Sequence, residues 1–435
     1  MIDGGNGSRW NAILGTPIDR CCERVKLGGM KVTRHSRRLA PVAMLLAGLL
    51  VLALASPAHA AVVTRMDWDY GGGTEGSGGT MTGQKPESKL WLAGGNWWSV
   101  MVPPGGGPYH FYTLSADGQT WQDQGLGGDD RQFTKPDVLF DGSKLYIASR
   151  DGSATKQNRL YRYSFDGSRF TPDTGFPVNI TGGGQETLTI AKDSRGKLWI
   201  AYEAGGKVKV NRSTGADTAW GTPFTLPVTG ASNLKSDDIA AVQAFNGRIG
   251  VMWSNQNTQQ DYFAYHTDGT SDTTGWTGEV AYSGSLAADD HVNLKTGSDG
   301  SIWAAVKTSK NDAPNSGAEP VIVLLHRSPA GSWSASTVWI ASDQPTRPIC
   351  LLDETSGKVY VLAQVLAGSP DGIYFKVTDL SAPSFAGGLG TPLIYGSGKP
   401  DDVASTKQNL SPTTGLVALA STSGSNDYWH ARMTF

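Results

Sequence analysis

One short strand pattern recurs along the chain and limits the possible folds more than any other feature. It is a Lys-Leu-aromatic-Ile-Ala strand next to a glycine-containing turn, clearest at 144–148 and 197–201. Seven copies follow at intervals of about 50 to 57 residues, beginning at Lys89, Lys144, Lys197, Arg248, Ser301, Lys358 and Gly415. A period of this length is typical of architectures in which each repeat is one supersecondary unit.

Each copy lies among other strand signals. An apolar strand ending in Asp-Gly, Asn-Gly or Ser-Gly precedes it, and a third strand such as 160–164 follows. A fourth strand carries an aromatic residue, at Trp121, Phe170, Trp220, Trp276 and Trp333. Four antiparallel strands repeated radially form a propeller blade. The sequence therefore predicts an all-β fold, a single β-propeller of seven four-stranded blades, with six or eight as alternatives. Residues 62–66 are expected to complete the last blade and close the ring.

The first 60 residues do not show the repeat. Basic residues at 31–38, an apolar run at 39–55 and the small-residue sequence Ala58-His59-Ala60 are typical of a secretory signal peptide. We predict an unstructured upstream extension (1–29), a signal peptide (30–60) and a propeller domain (61–435). The protein is therefore expected to be secreted, with no membrane span after cleavage.

Composition excludes several classes of partner. The formal net charge is −2 and 17% of the residues are charged, which argues against binding nucleic acid. Residues 61–435 contain one cysteine, Cys350, so the domain has no internal disulfide. Cys350 lies in an apolar strand and is expected to be a buried small hydrophobic residue. We expect a monomer.

One turn resembles a known family motif. Ser115-Ala116-Asp117-Gly118-Gln119-Thr120-Trp121 is similar to the Asp-box of sialidase-like (BNR-repeat) propellers, although it is one residue short. In that superfamily the box stabilises a blade and is not catalytic. The resemblance implies a propeller of the secreted bacterial carbohydrate-active type.

Charged residues stand where the innermost strands should begin. Those starts converge on one rim of the central channel, which is the default ligand site of a propeller. Aligning the repeats gives one ring of positions: Lys135, Glu186, Asp237, Asp290, Arg347 and Lys407. Their neighbours add Asp137, Lys235, Asp238, Asp289, His291, Asn293, Lys295, Gln408 and Asn409. Loops after the second strands add Arg150, Glu203, Trp253, Asn255 and Lys307. Such charges are either solvated around an open channel or bind a polar ligand.

The richest cluster is 289–295, Asp-Asp-His-Val-Asn-Leu-Lys. A histidine beside carboxylates can act as general base or acid near neutral pH. We therefore take His291, Asp290, Asp289, Asp237, Glu186 and Arg347 as candidate catalytic residues and the remaining rim residues as candidate substrate-binding residues. No cofactor is required by the sequence, and a divalent cation such as Ca²⁺ at Asp289 and Asp290 remains open.

These features favour an enzyme that cleaves an extracellular, acidic polysaccharide. A polysaccharide lyase is slightly favoured, with cationic side chains neutralising a uronate and His291 removing a proton. The Asp-Asp-His-x-Asn string is similar to one in BNR-repeat propellers related to uronate-cleaving lyases. One alternative is a glycoside hydrolase that uses two of the rim carboxylates. Another is a non-catalytic glycan-binding propeller, which would have similar pockets in several blades.

Overall fold

The computed structural model describes residues 61–71, 81–83, 85–131, 134–314, 316–422 and 424–435. The predicted upstream extension (1–29) and signal peptide (30–60) lie outside the described residues. Among the described residues, no helix is long and apolar enough to cross a membrane.

Seven antiparallel sheets follow one another along the chain. The first strand, β1 (Ala61–Asp69), precedes blade 1, which contains β2 (Leu90–Ala93), β3 (Asn96–Met101), β4 (His110–Leu114) and β5 (Trp121–Gly127). Blade 2 contains β6 (Thr134–Phe140), β7 (Lys144–Asp151), β8 (Gln157–Phe165), β9 (Phe170–Pro172) and β10 (Val178–Gly182). Blade 3 contains β11 (Thr189–Lys192), β12 (Leu198–Glu203), β13 (Val208–Arg212) and β14 (Phe224–Thr225).

The remaining blades repeat this order. Blade 4 contains β15 (Ala240–Phe245), β16 (Arg248–Asn255), β17 (Gln260–Thr267) and β18 (Thr277–Ser283). Blade 5 contains β19 (Val292–Thr296), β20 (Ile302–Lys307), β21 (Pro320–Arg327) and β22 (Trp333–Ile340). Blade 6 contains β23 (Pro345–Asp353), β24 (Lys358–Val365), β25 (Gly372–Asp379) and β26 (Thr391–Tyr395). Blade 7 contains β27 (Asp401–Ala404), β28 (Leu416–Ser421) and β29 (Asp427–Thr434), with β1 as its outermost strand. The helical segments of the described residues are two short 3₁₀ turns, Ser309–Asp312 and Ala341–Asp343.

The innermost strands of successive blades contact one another around a ring. The ring closes where Leu90 of blade 1 bridges Thr406, which follows β27 of blade 7. The fold is therefore the predicted seven-bladed β-propeller. The blades pack through apolar faces, and Trp91, Trp199 and Trp253 are at most 1% exposed.

The N-terminal strand completes the last blade, as the sequence predicted. β1 pairs antiparallel with β29, from Ala61 opposite Thr434 to Asp69 opposite Asp427. A buried contact fastens this pair to blade 1. The His430 side chain has Nδ1 2.7 Å from Asp67 Oδ1, and its Nε2 lies 3.0 Å from the carbonyl oxygen of Gly118. Gly118 belongs to the Asp-box turn, so this turn joins blade 1 to blade 7.

One copy of the repeat was assigned to the wrong strand. The other six copies are the second strands of blades 2 to 7, as the alignment required. The copy that begins at Lys89 instead forms β2, the innermost strand of blade 1, and the second strand is the Trp-rich β3. Cys350 is completely buried in β23, as predicted, and burial raises the pKa of its thiol to about 11.

Candidate functional site

The innermost strands all begin at one end of the channel, called here the upper rim. Its positions are Leu90, Thr134, Thr189, Ala240, Val292, Pro345 and Asp401. The loops between second and third strands reach the same rim because each blade is an antiparallel meander. The structure thus brings charged residues of different blades together there, but it pairs them in a way that the repeat did not predict.

A segment between β1 and β2 reaches into the upper rim. Lys85 carries the contact: its Nζ lies 2.7 Å from Glu186 Oε1 of the loop into blade 3 and 2.8 Å from Asp290 Oδ2 of the loop into blade 5. The Lys85 side chain is 7% exposed and its backbone is left-handed, with φ 53°. A non-glycine residue in this conformation is held there by its surroundings. Two predicted catalytic carboxylates therefore share one ammonium group from outside the repeats.

The same segment contributes a buried carboxylate. Glu87 is 2% exposed, and its Oε1 accepts hydrogen bonds from Arg150 Nε at 3.0 Å and from the Leu188 backbone N–H at 3.2 Å. Its other oxygen lies 3.2 Å from Lys89 Nζ. Burial lowers the pKa of Lys89, although Glu87 and Asp137 oppose that shift. Arg150, predicted to bind substrate, thus has a counter-ion in its own chain.

Several predicted binding residues lie deeper, inside the channel. Asp137 is completely buried, accepts hydrogen bonds from the Ser88 and Ile190 backbone N–H groups, and forms a 2.9 Å ion pair with Lys407. Burial raises the pKa of Asp137 despite the Lys407 charge. Lys295 is 3% exposed, and burial lowers its pKa to about 8. Together with the 2% exposed side chain of Lys135, these residues form a buried ionic layer and not an open funnel.

The Asp289–His291 cluster is compact and already neutralised. His291 Nδ1 is hydrogen-bonded to Asp290 Oδ1, and Lys307 Nζ lies 2.6 Å from Asp289 Oδ2. His291 is 4% exposed, and burial lowers its pKa to about 4 in spite of Asp290, so its ring is neutral near pH 7. One ligand atom from each of the three residues lies within 4.8 Å of the others. The ammonium groups of Lys307 and Lys85 occupy both carboxylates, so this set fits a metal ion poorly.

Arg347 occupies a bulged, left-handed position near the start of β23, with φ 55°. Its Nε lies 2.7 Å from Asp402 Oδ1, and one terminal nitrogen lies 3.4 Å from Asp401 Oδ2. Burial, together with the Asp402 charge, raises the pKa of Asp401 to about 6. Arg347 and Lys307 line a cleft of about 490 Å³ between blades 5 and 6.

The largest cleft lies off the channel axis, among the upper-rim loops of blades 2, 3 and 4. Its volume is about 1020 Å³, and Arg150, Glu186 and Glu203 line it. Glu203 follows the second strand of blade 3, and its Oε1 accepts a 2.6 Å hydrogen bond from the Gly206 backbone N–H. Burial raises the pKa of Glu203, and the Asp238 and Glu186 charges add to this shift. The cleft therefore combines an ion-paired carboxylate with a second carboxylate that retains its proton to higher pH.

Glycine shapes one wall of this cleft. A Cβ at Gly183 would lie 2.5 Å from the Ser153 carbonyl oxygen. Only a residue without a side chain lets the loop after β10 approach the β7–β8 turn this closely. The turn and the loop together form the wall on the blade 2 side.

The remaining predicted residues support loops or lie apart. Trp253 and Asn255 are completely buried and donate hydrogen bonds to the Gly230 carbonyl oxygen at 2.8 and 3.0 Å. Their observed contacts fix a loop and are not with the cleft. The others are placed as follows: Asp238 accepts from the Lys235 and Gln256 backbone N–H groups, Asp237 and Lys235 are exposed, Asn293 accepts from the Cys350 backbone N–H, Gln408 bonds the Leu92 backbone, and Asn409 donates to Thr296 and Glu354.

Sequence reasoning missed four charged residues of this site. Lys85 and Glu87 precede the repeats, so no alignment between repeats could place them in the channel. Asp401 and Asp402 start the innermost strand of blade 7, where the alignment had placed Lys407. Lys407 instead follows the end of β27. The adjacent acidic pair before an apolar strand was the available signal, since blade 5 begins in the same way with Asp289 and Asp290.

No protein-family model matches the sequence, and no curated protein matches it. Among solved structures, hydrazine synthase of Kuenenia stuttgartiensis is 12% identical, with 82% of this chain and 98% of that chain covered and a TM-score of 0.50. A protein of unknown function from Dyadobacter fermentans is 14% identical over 68% and 93% of the two chains, with a TM-score of 0.44. The GH43 protein BlXynB of Bacillus licheniformis is 13% identical over 63% of this chain and 56% of that chain, with a TM-score of 0.35. Similarity at these identities extends to the fold alone.

Proposed function

We propose that the protein is a secreted glycoside hydrolase that cleaves a polysaccharide in the large cleft between blades 2, 3 and 4. The carrying observation is that two carboxylates, Glu186 and Glu203, line one cleft in unlike electrostatic environments. Glycoside hydrolysis needs one carboxylic acid to protonate the leaving oxygen and one carboxylate to act as base or nucleophile.

Glu203 takes the role of general acid in this proposal. Burial, with Asp238 and Glu186 nearby, raises its pKa, so it retains a proton to higher pH than an ordinary glutamate. A raised pKa brings an acid closer to working pH and improves proton transfer to the leaving oxygen. The hydrogen bond from the Gly206 backbone N–H fixes one carboxyl oxygen and orients the other.

Glu186 takes the role of base or nucleophile. Its side chain is 34% exposed, so a substrate or water can reach it, and its 2.7 Å ion pair with Lys85 restrains the carboxylate. Lys85 does not line the cleft and acts here as a positioning residue. A restrained charged group needs less reorganisation when the sugar reacts.

The cleft also supports an acidic glycan as substrate. Arg150 and Lys156 line it, and Lys156 is exposed. Cationic side chains favour a carboxylated or sulfated sugar. A cleft of about 1020 Å³ is at the upper end of the usual range for small-ligand sites and suits several sugar units.

The geometry does not support the lyase interpretation. Its base was to be His291, which is 4% exposed, is hydrogen-bonded to Asp290 through Nδ1, and does not line the large cleft. A sugar C5 proton cannot reach a ring nitrogen buried in this way without movement of the rim. The hydrolase alternative uses carboxylates that are already accessible.

The test is an assay of the purified protein on a panel of acidic and neutral polysaccharides. A hydrolase releases reducing ends without the ultraviolet absorbance of an unsaturated uronate. We expect Glu203→Gln and Glu186→Gln each to lower kcat by at least about 10²-fold. Glu319→Gln, a matched change of an exposed carboxylate, should leave it unchanged.

Three results contradict the proposal: unsaturated products, binding without cleavage, or full activity of both Gln variants. N-terminal sequencing of the exported protein tests the predicted cleavage after Ala60. Light scattering of that protein tests the expected monomer.

A further inference from the structure

Asp261, near the start of β17 in blade 4, is completely buried. Among the described residues, neither of its carboxyl oxygens has a hydrogen-bond partner. The nearby carboxylates of this rim differ: Asp238 accepts backbone N–H groups, and Asp289 accepts from Lys307. Buried polar groups without partners are rare because each costs the free energy of its lost hydration.

The strand pattern locates this carboxyl group in the seam between blades 4 and 5. Side chains alternate along a strand, so Asp261 lies on the same face as Phe263 and opposite to Tyr262. Phe263 packs in an apolar cluster with Val292 of blade 5, whereas Tyr262 packs in another cluster with Trp253. The β17–β18 ladder has a bulge directly after Asp261, which opens the backbone at this point.

The local charges all have the same sign. Asp238 and Asp289 are the charged groups that act most on Asp261, and both are acids. Tyr282, its partner on β18, also feels the Asp261 charge. No lysine or arginine of the described residues forms an ion pair with Asp261. An ionised Asp261 therefore lies in a negative environment without a counter-charge.

Protonation of Asp261 does not resolve this arrangement. Burial and the two neighbouring acids raise its pKa, so a proton would remove the charge. However, the resulting O–H would have no acceptor, and the C=O would have no donor, among the described residues. A cation that binds the carboxylate satisfies both oxygens and offsets the acidic field at once.

We propose that Asp261 is a ligand of a hard divalent cation of the calcium class, held in the seam between blades 4 and 5. Calcium accepts six to eight oxygen ligands in flexible geometry, and one or both oxygens of a carboxylate can bind it. Backbone carbonyl groups at the bulge and water molecules complete such a shell. This site is separate from the Asp289–His291 cluster, where two lysines occupy the carboxylates, and it does not depend on the proposed activity.

The test is calcium binding to the purified protein after treatment with a chelator. In wild type, free calcium about 100-fold above Kd should raise the thermal midpoint by roughly 3 °C. Terbium, which replaces calcium, should show sensitised emission that calcium abolishes. Asp261→Asn keeps the shape and removes the charge, so it should lose both responses. Asp130→Asn, at a carboxylate that is 78% exposed, is the matched control and should keep them.

Two results overturn the proposal. One is a wild-type protein that shows neither response, which leaves Asp261 as a buried neutral acid hydrated by water. The other is Asp261→Asn protein with an unchanged calcium response, which places any bound ion elsewhere. If Asp261→Asn does not fold, calorimetry on wild type and on Asp290→Asn decides. One calcium ion per chain in both supports the seam site, and a stoichiometry of zero in wild type or a loss in Asp290→Asn refutes it.

Discussion

Replacing Lys85 by methionine should destabilise the propeller in a way that depends on pH. The side chain is 7% exposed and lies 2.7 Å from Glu186 and 2.8 Å from Asp290. Methionine fills similar space but leaves both carboxylates without their shared ammonium group. Breaking a fully buried ion pair costs about 3–5 kcal/mol, and an exposed pair contributes about 0–1 kcal/mol.

The expected loss lies between these limits because the carboxylates are partly solvated. Glu186 is 34% and Asp290 24% exposed, which gives about 2–3 kcal/mol. The unfolding entropy of a domain of this size converts that to a fall in the thermal midpoint of roughly 3 °C. Calorimetry or circular dichroism measures it, provided that unfolding is reversible.

The pH dependence follows from the direction of two pKa shifts. Burial opposes the charge of Asp290, but the hydrogen bond from His291 and the His291 and Lys85 charges outweigh it and lower its pKa. Burial also opposes the charge of Lys85, and Asp290 and Glu186 outweigh it and raise the Lys85 pKa. The carboxylate contribution is present above the unfolded pKa of about 4 and disappears as pH falls further. The lysine contribution is present below about pH 10.

The difference between wild type and Lys85→Met should therefore be largest near neutral pH and shrink below about pH 4. Lys399→Met is the matched control. Lys399 also has a left-handed backbone, with φ 57°, and forms a 2.8 Å ion pair with Asp371, but its side chain is 68% exposed. Equal losses in the two variants, or a Lys85→Met loss that persists unchanged in acid, would refute the assigned role of Lys85.

Three further predictions concern buried groups. Iodoacetamide should not label Cys350 in the folded protein, because the thiol is completely buried with a pKa of about 11; labelling of its peptide without denaturant would contradict this. Lys295→Met should stabilise the protein by about 2 kcal/mol near neutral pH, and this gain should shrink from about pH 8 to 10. The reason is that burial lowers the Lys295 pKa to about 8, so the wild type alone becomes more stable as its lysine loses the proton; a pH-independent difference in unfolding free energy counts against it. Gly396→Ala should cost about 1–3 kcal/mol, since its Cβ would lie 1.9 Å from Trp429, whereas Gly182→Ala, with nothing within 4 Å, should change stability by less than about 0.5 kcal/mol.

The fold was predictable because its information is local and repeated. Alternating apolar strands and glycine turns every 50 to 57 residues define one blade, and the number of copies defines the ring. The error in blade 1 arose because β2 happens to carry the Lys-Leu-Trp pattern of the second strands. The Trp-rich β3, which is the true second strand, lacks it.

The site was predictable only in part. Periodicity correctly indicated that the starts of the innermost strands carry charge, and Glu186 and Asp290 do meet the same group. Which charges remain accessible depends on a non-repeating segment, because Lys85 and Glu87 neutralise rim residues from outside the blades. Periodicity also could not reveal the buried layer around Asp137, since burial depends on how seven blades close around the axis.

The pairing of β1 with β29 has a mechanical consequence. Ala61 lies opposite Thr434, so the two ends of the propeller domain are neighbours at the same end of one antiparallel ladder. A force that pulls these ends apart loads the ladder one residue pair at a time, as a zipper, and not all of its hydrogen bonds together. The first buried obstacle is His430, opposite Arg65 and bonded to Asp67. The strand that removes the last free edge of the ring is therefore also the place where the ring opens under tension.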